Sequence, residues 1–215
     1  MDINELNETY AKIKKDIEGR ITVFKGIWKE GGNREIFTEL AFCLLTPQSK
    51  ARGAEKAINA LLANGKLFDG TPEEIREELN VVRFKNKKAE YIVEAREKYS
   101  ENGEIIFKDI LKEKMKEGII PTRDWLVKDI KGIGYKEAGH FLRNVGFGEE
   151  VAILDRHILK NLKRFEVIGE IPETITPKVY HEIEKKMVGF SEKIGIPMDH
   201  LDFLFWYNEA GEVFK

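Results

Sequence analysis

The sequence predicts an all-α protein, and three observations carry that reading. Nearly every segment repeats its apolar residues at helical spacing. No stretch alternates apolar and polar residues as a half-buried strand does. The breaks between segments hold helix stops and starts: Gly31-Gly32, Thr71 with Glu74 three residues on, Gly132-Ile133-Gly134, and Pro197.

In order, Asn4 to Ile17 carries Leu6, Tyr10, Ile13 and Ile17 on one stripe, and Ile21, Phe24, Ile27 and Trp28 continue it up to Gly31-Gly32. Glu35 to Leu45 is a strongly apolar helix ending in Thr46-Pro47-Gln48-Ser49, and Lys50 to Ala63 begins the next. Thr71 and Glu74 form a capping box that starts a helix to Leu79, because each side chain can satisfy a backbone N–H near the other. A loop over Val81 to Lys88 then enters a helix whose core face holds Ala89, Ile92 and Ala95. Ile105 to Met115 is helical, and Pro121-Thr122 opens the helix before the glycine pair. Tyr135 to Val145 buries Ala138, Phe141, Leu142 and Val145, with Gly146 as its stop. Arg156 to Phe165, Thr176 to Ile194 and a helix beginning at Pro197 complete the chain.

The chain has 215 residues, 34% charged and 42% hydrophobic, enough for one large or two small domains with a sizeable core. No apolar run approaches the roughly 20 residues that span a bilayer, and Met1 to Glu5 does not start a signal peptide, so the expected location is cytoplasmic, with no membrane partner. A net charge of −2 supplies no global attraction to nucleic acid, so any basic surface is local. Cys43 is the only cysteine, which excludes an internal disulfide and a thiolate-ligated iron–sulfur cluster within this sequence.

Chemistry concentrates between Trp125 and His157. Leu126 and Ile130 form one stripe of a short helix, and Gly132 and Gly134 then allow a tight turn and close backbone approach. The following helix offers its free N–H groups and dipole, which suits phosphate binding without sequence preference. Lys136 lies in the first turn of that helix, where an amine is a candidate nucleophile. Asp155 follows nineteen residues later at the end of the apolar run Val151 to Leu154. Read alone, Asp155 is an N-cap for Arg156 to Phe165, a role compatible with chemistry because capping fixes the carboxylate. Lys136, His140 and Arg143 are spaced to share a helix face, and Arg143 reads as a phosphate contact or a solvated side chain.

Phe84 is an aromatic loop residue among Arg83, Lys85, Lys87 and Lys88, an apolar wedge between phosphate-binding cations. Read alone, Thr46 to Ser49 is a plain helix–helix turn, and Arg52 sits on a solvated helix face.

The hairpin, the lysine two residues beyond its second glycine and the distant aspartate resemble the helix-hairpin-helix DNA glycosylases of the endonuclease III superfamily. The tail, with Trp206-Tyr207, Gly211 and a final Lys215, looks like the compact archaeal-type branch of 8-oxoguanine DNA glycosylase/AP lyases. The resemblance runs from about Phe37 to Lys215 and is tightest over Ile130 to His157. It implies two helical lobes with a DNA-binding groove between them, residues 35–146 forming one and residues 1–34 with 147–215 the other. It implies that Lys136 forms a Schiff base and that Asp155 stabilises charge developing on the sugar. Gln48 then fills the space of a flipped base, Arg52 lies near the opposite cytosine, and Phe84 is the wedge. Lys85, Gly132, Gly134 and His157 hold DNA, and Phe203, Trp206 and Lys215 recognise the base. The backbone carbonyls of Lys128, Ile130 and Ile133 become candidate ligands for a structural Na+ or K+, with no cofactor required for the chemistry. The expected partner is double-stranded DNA containing 8-oxoguanine, bound by a monomer. Two rival readings remain: the same chemistry on oxidised pyrimidines, and a non-catalytic helix-hairpin-helix module, which needs neither Lys136 nor Asp155.

Overall fold

The computed structural model describes residues 2–213. Among them the elements run α1 (Ile3–Glu30), α2 (Asn33–Leu45), α3 (Ala51–Ala63), α4 (Lys66–Asp69), α5 (Pro72–Glu78), α6 (Lys85–Lys98), β1 (Ser100–Glu101), β2 (Glu104–Ile105), α7 (Phe107–Met115), α8 (Ile119–Asp129), α9 (Tyr135–Asn144), α10 (Arg156–Arg164), α11 (Pro177–Ile194) and α12 (Met198–Ala210). The all-α expectation holds with one small addition. Strands β1 and β2 pair antiparallel, Ser100 with Ile105 and Glu101 with Glu104. Asn102 and Gly103 between them both have positive φ, 51° and 83°, as a tight hairpin turn of matching twist requires. None of the described helices is long and apolar enough to cross a membrane.

The chain forms two compact units, Ile27–Phe141 and Met1–Gly26 with Leu142–Lys215, whose borders fall inside α1 and α9. In the first, α2 is the central helix. Its sequence is apolar nearly all round, and Ile36, Phe37, Leu40, Ala41, Phe42, Cys43, Leu44 and Leu45 are all buried. Phe107 of α7 meets Phe37 edge-on at 6.4 Å and packs against Phe141 at 5.7 Å and Tyr99 at 4.8 Å. Each fully buried side chain of this size contributes roughly 1.5–3 kcal/mol. The capping box of α5 forms as expected: Glu74 N–H donates to Thr71 Oγ1 at 3.3 Å and Thr71 N–H to Glu74 Oε2 at 2.8 Å.

In the second unit, α1 buries Leu6, Ile13, Ile17, Ile21 and Phe24 on a single stripe. Phe165, Phe190 and Phe205 stack near the centre, with Phe165 and Phe205 5.8 Å apart. Helix α9 stops as the sequence predicts. Gly146 takes φ +90° and donates to Arg143 O at 2.9 Å, while Phe147 N–H reaches Leu142 O at 2.8 Å. A Cβ on Gly146 would stand 2.9 Å from Lys25 Cα, so the α1 backbone also requires glycine there.

Candidate active site and nucleic-acid interface

The hairpin begins where α8 ends at Asp129. Ile130 turns extended at φ −115° and ψ 115°, and Gly132 adopts φ +85°. Ile133 N–H closes the turn on Ile130 O at 3.3 Å, and Ala138 N–H donates to Gly134 O at 2.9 Å as α9 starts. Asp129 anchors the approach. Its carboxylate accepts from Tyr99 Oη at 2.6 Å and pairs with Lys98 at 2.9 Å, while Lys98 Nζ also donates to its carbonyl at 2.8 Å. Burial pushes the Asp129 carboxyl up, but the bonds from Tyr99 and Lys98 outweigh it and hold it below the usual Asp range. Burial, together with the bond to that carboxylate, pushes the Tyr99 phenol up.

Lys136 lies in the first turn of α9, with 27% of its side chain exposed and Nζ 3.5 Å from Glu137 Oε1. The two other residues expected on its face are not beside it at the surface. His140 is buried against Phe42 at 5.7 Å. Arg143 is buried too, which corrects the reading of it as a phosphate contact or a solvated residue. Its guanidinium pairs with Asp202 at 2.5 Å, donates to Asn144 Oδ1, and lies 4.5 Å from the Phe203 ring. The cation is fully committed inside the unit.

Asp155 caps α10, its Oδ1 accepting from His157 and Ile158 N–H groups at 2.8 Å each. The apolar run before it is buried, and side chains of α11 bond its backbone at Ala152 and Leu154. Ala152 N–H donates to Glu184 Oε1 at 2.8 Å, and Tyr180 Oη donates to Ala152 O at 2.7 Å. Tyr180 and Glu184 therefore hold the segment that leads into Asp155, and their sequence signal amounts only to polar groups on the buried face of an amphipathic helix.

Gln48 and Phe84 are exposed, and each adopts a left-handed backbone, at φ 53° and 58°. Their two loops are fastened together. Arg83 N–H donates to Ser49 Oγ at 2.9 Å, and Lys88 Nζ donates to Leu45 O, Pro47 O and Ser49 Oγ at 2.7, 2.8 and 2.9 Å. Lys88 is thus not one of the phosphate-binding cations around Phe84, as its sequence neighbours implied. It is buried, and burial pulls its ammonium down to about 8. A signal was present: Lys88, Ile92 and Ala95 fall at core-facing spacing. Lys85 is half-buried and donates to Asn80 Oδ1 at 2.6 Å, while Arg52 is exposed on α3.

In the C-terminal helix, Trp206 is half-buried and meets His157 edge-on at 4.8 Å. Its indole N–H is buried and has no acceptor among the described residues. Glu209, which sequence reasoning missed, accepts from Lys160 at 2.6 Å and lies 3.9 Å from His157 and 3.5 Å from Arg164. The bond from Lys160 leads in holding its carboxyl below the usual range. Phe203 is fully buried, stacked on Phe24 at 6.1 Å and covered by Arg143, so its ring is part of the core of this unit. Lys215 lies outside the described residues.

A glycine turn between two helices, a lysine in the first turn beyond it and an aspartate capping a later helix define a helix-hairpin-helix protein equipped for chemistry on DNA. The model of the 8-oxoguanine DNA glycosylase family matches residues 17–196. A relative from Fusobacterium nucleatum subsp. nucleatum, called 8-oxoguanine DNA glycosylase/AP lyase, is 52% identical over 216 residues, covering 99% of this chain and 97% of its own. One of the same name from Methanocaldococcus jannaschii is 41% identical over 208 residues, covering 95% of this chain and 94% of its own. The crystal structure of the Methanocaldococcus jannaschii 8-oxoguanine glycosylase/lyase in complex with 15mer DNA containing 8-oxoguanine superposes with a TM-score of 0.87 at 39% identity, covering 99% of both chains. The structure of the Thermotoga maritima 8-oxoguanine DNA glycosylase gives 0.84 at 34% identity, covering 99% of this chain and 98% of that one. The chain belongs to the 8-oxoguanine DNA glycosylase family.

Proposed function

We propose that Lys136 is the nucleophile and Asp155 the charge-stabilising carboxylate of a bifunctional 8-oxoguanine DNA glycosylase/AP lyase acting on double-stranded DNA. The observation that carries this is the placement of Lys136, part-exposed in the first helical turn beyond the glycine hairpin, in a chain of this family. A base inside a duplex is out of reach, so the target nucleotide is flipped out while Phe84 wedges the stack and Gln48 fills the gap. As the glycosidic bond breaks, positive charge develops on the sugar and the Asp155 carboxylate stabilises it. The lone pair of Lys136 Nζ forms a bond to the anomeric carbon, and the base leaves with the electron pair of the broken bond and takes up a proton. Opening of the sugar gives the Schiff base, which acidifies the adjacent carbon. Loss of that proton expels the 3′ phosphate and cuts the strand.

Gly132 and Gly134 present the hairpin to phosphate, Lys85 and His157 add contacts, and Arg52 lies towards the opposite base. The unused indole N–H of Trp206 supports a place for it in base recognition, with Lys215 as its proposed companion. The carbonyls of Lys128, Ile130 and Ile133 are the proposed ligands of a structural ion; oxygen donors suit Na+ or K+ rather than a thiophilic metal, and Ile130 O also accepts from Ile133 N–H. Such an ion would orient backbone dipoles towards phosphate. The protein acts in the cytoplasm as a monomer.

Borohydride trapping tests the reading on duplexes carrying one 8-oxoguanine or one oxidised pyrimidine. A covalent adduct forms on the 8-oxoguanine duplex and is absent with Lys136→Gln. An adduct that survives Lys136→Gln, or one confined to the pyrimidine duplex, overturns it.

A further inference from the structure

Lys88 is a buried cation of the Ile27–Phe141 unit that joins two loops. Its ammonium, on a residue 4% exposed, donates to three neutral oxygens: Leu45 O, Pro47 O and Ser49 Oγ. Leu45 is the last residue of α2, so its carbonyl also lies at the negative end of a helix dipole. A buried cation held without a hydrogen-bonded carboxylate is a costly way to join two loops, because desolvation offsets much of what the three bonds return. A purely structural need is better met by an apolar contact. The loops being joined are the ones that carry Gln48 and Phe84, both exposed and both in a left-handed backbone that side chains other than glycine seldom adopt.

We propose that Lys88 is a positioning residue for base extrusion: together with Ser49 it locks the Gln48 loop to the Phe84 loop, so that gap filler and wedge enter the duplex as one rigid unit. The inference rests on the extrusion roles assigned above to Gln48 and Phe84. Ser49 is the junction. Its hydroxyl oxygen accepts from both Lys88 Nζ and Arg83 N–H, each at 2.9 Å, and its own proton reaches towards Pro47 O at 3.4 Å. The α6 helix that carries Lys88 begins directly after Phe84, so fixing the ammonium fixes the wedge as well.

The lock is strongest with a charged lysine, since an ammonium offers three N–H groups to the three acceptors and a neutral amine only two, without the charge that strengthens each bond. Burial brings Lys88 down to about 8, opposed by the favourable charge of Glu137 and reinforced by the unfavourable charge of Lys136. Those two groups on α9 are the charges that shift it, and the three atoms it donates to, at the end of α2 and in the following loop, are uncharged oxygens. The lock is therefore strongest near neutral pH and weakens as pH rises through about 8.

Strand cleavage at a preformed abasic site, in duplex and in single-stranded DNA, separates extrusion from chemistry, because the single strand has no stack to wedge and no gap to fill. The full-length chain is used under single-turnover conditions, with folding checked by thermal melting. Lys88→Met and Ser49→Ala lower the duplex rate by about ten-fold, the scale of one charge-assisted hydrogen bond. The single-strand rate stays within about two-fold. In the wild type the duplex-to-single-strand ratio falls as pH is raised through about 8, and in Lys88→Met it is flat. If Lys88→Met does not fold, Ser49→Ala carries the test alone. Equal losses on both substrates, or no loss, overturn the lock. Gln48→Ala and Phe84→Ala serve as references. If they lower the ratio and the Lys88 and Ser49 variants do not, the lock fails and the extrusion roles stand; if they leave it unchanged, the extrusion roles fail and the lock with them.

Discussion

The ring of Tyr91 occupies the space that a side chain on Gly132 would need, with its Cδ2 atom 2.5 Å from where a Cβ would stand. Leu44 Cδ2 is 3.2 Å from the same point, and φ is +85°, so both contact and backbone demand glycine. The close approach seats the hairpin turn on α2 and α6. Gly132→Ala is expected to cost on the order of 2–3 kcal/mol in denaturant unfolding. At Gly134 a Cβ would meet only the end of Glu137, at 3.1 Å, a side chain that can move. Gly134→Ala should cost less than about 1 kcal/mol. Equal losses at the two positions would contradict a seated hairpin.

Asp155 is both a helix cap and the proposed charge stabiliser, and two substitutions separate these roles. Asparagine still accepts the His157 and Ile158 N–H bonds but lacks the charge. Asp155→Asn should melt close to the wild type while single-turnover base release falls by at least about a hundred-fold. Asp155→Ala should lose the same activity and also about 1 kcal/mol of stability. Base release by Asp155→Asn at the wild-type rate would remove the carboxylate from the mechanism.

Arg143 and Asp202 form a buried pair, and breaking one side strands the other charge. Asp202→Asn is expected to destabilise by about 3–5 kcal/mol, read from chemical unfolding. Replacing both residues with apolar ones of similar volume should recover much of that loss. DNA affinity at constant stability should not respond, because the guanidinium is enclosed by Phe24, Phe203 and Asp202.

Asp129 gives the fold a specific acid sensitivity. Its carboxyl is held below the ordinary value of 3.8 by Tyr99 and Lys98, against the opposing effect of burial. A depressed carboxyl contributes stability that is present above the ordinary value and disappears as pH falls through the folded one. Asp129→Asn should therefore melt below the wild type at pH 7, with the gap closing at acidic pH below 3.8. A gap that stays constant across this range would show that the carboxylate charge is not what braces the hairpin approach.

Much of this fold was legible in the sequence because its signals are local. Helical stripes, the Thr71–Glu74 capping box, the glycine turn and the stop at Gly146 are each set within a few residues. The small hairpin was missed because two-residue strands are too short to alternate, although Asn102-Gly103 is a turn signal. The misread side chains share a different cause. Lys88 takes its acceptors from residues 39 to 43 positions away, and Arg143 finds Asp202 59 positions on. A charged residue next to other charges looks solvated until its distant partner is known. Phe203 shows the same difficulty: an aromatic expected at a base pocket has the same sequence signature as one packed on Phe24, where the structure has it.

The exposure of Gln48 and Phe84 has a consequence for substitution. Both side chains project from the surface, Phe84 with 61% of its area exposed, while the backbone beneath them is held by Lys88, Ser49 and Arg83 N–H. The tips themselves thus contribute little to core packing. If these tips enter DNA as proposed, they can be exchanged without loss of core packing, and only for side chains that tolerate a left-handed backbone.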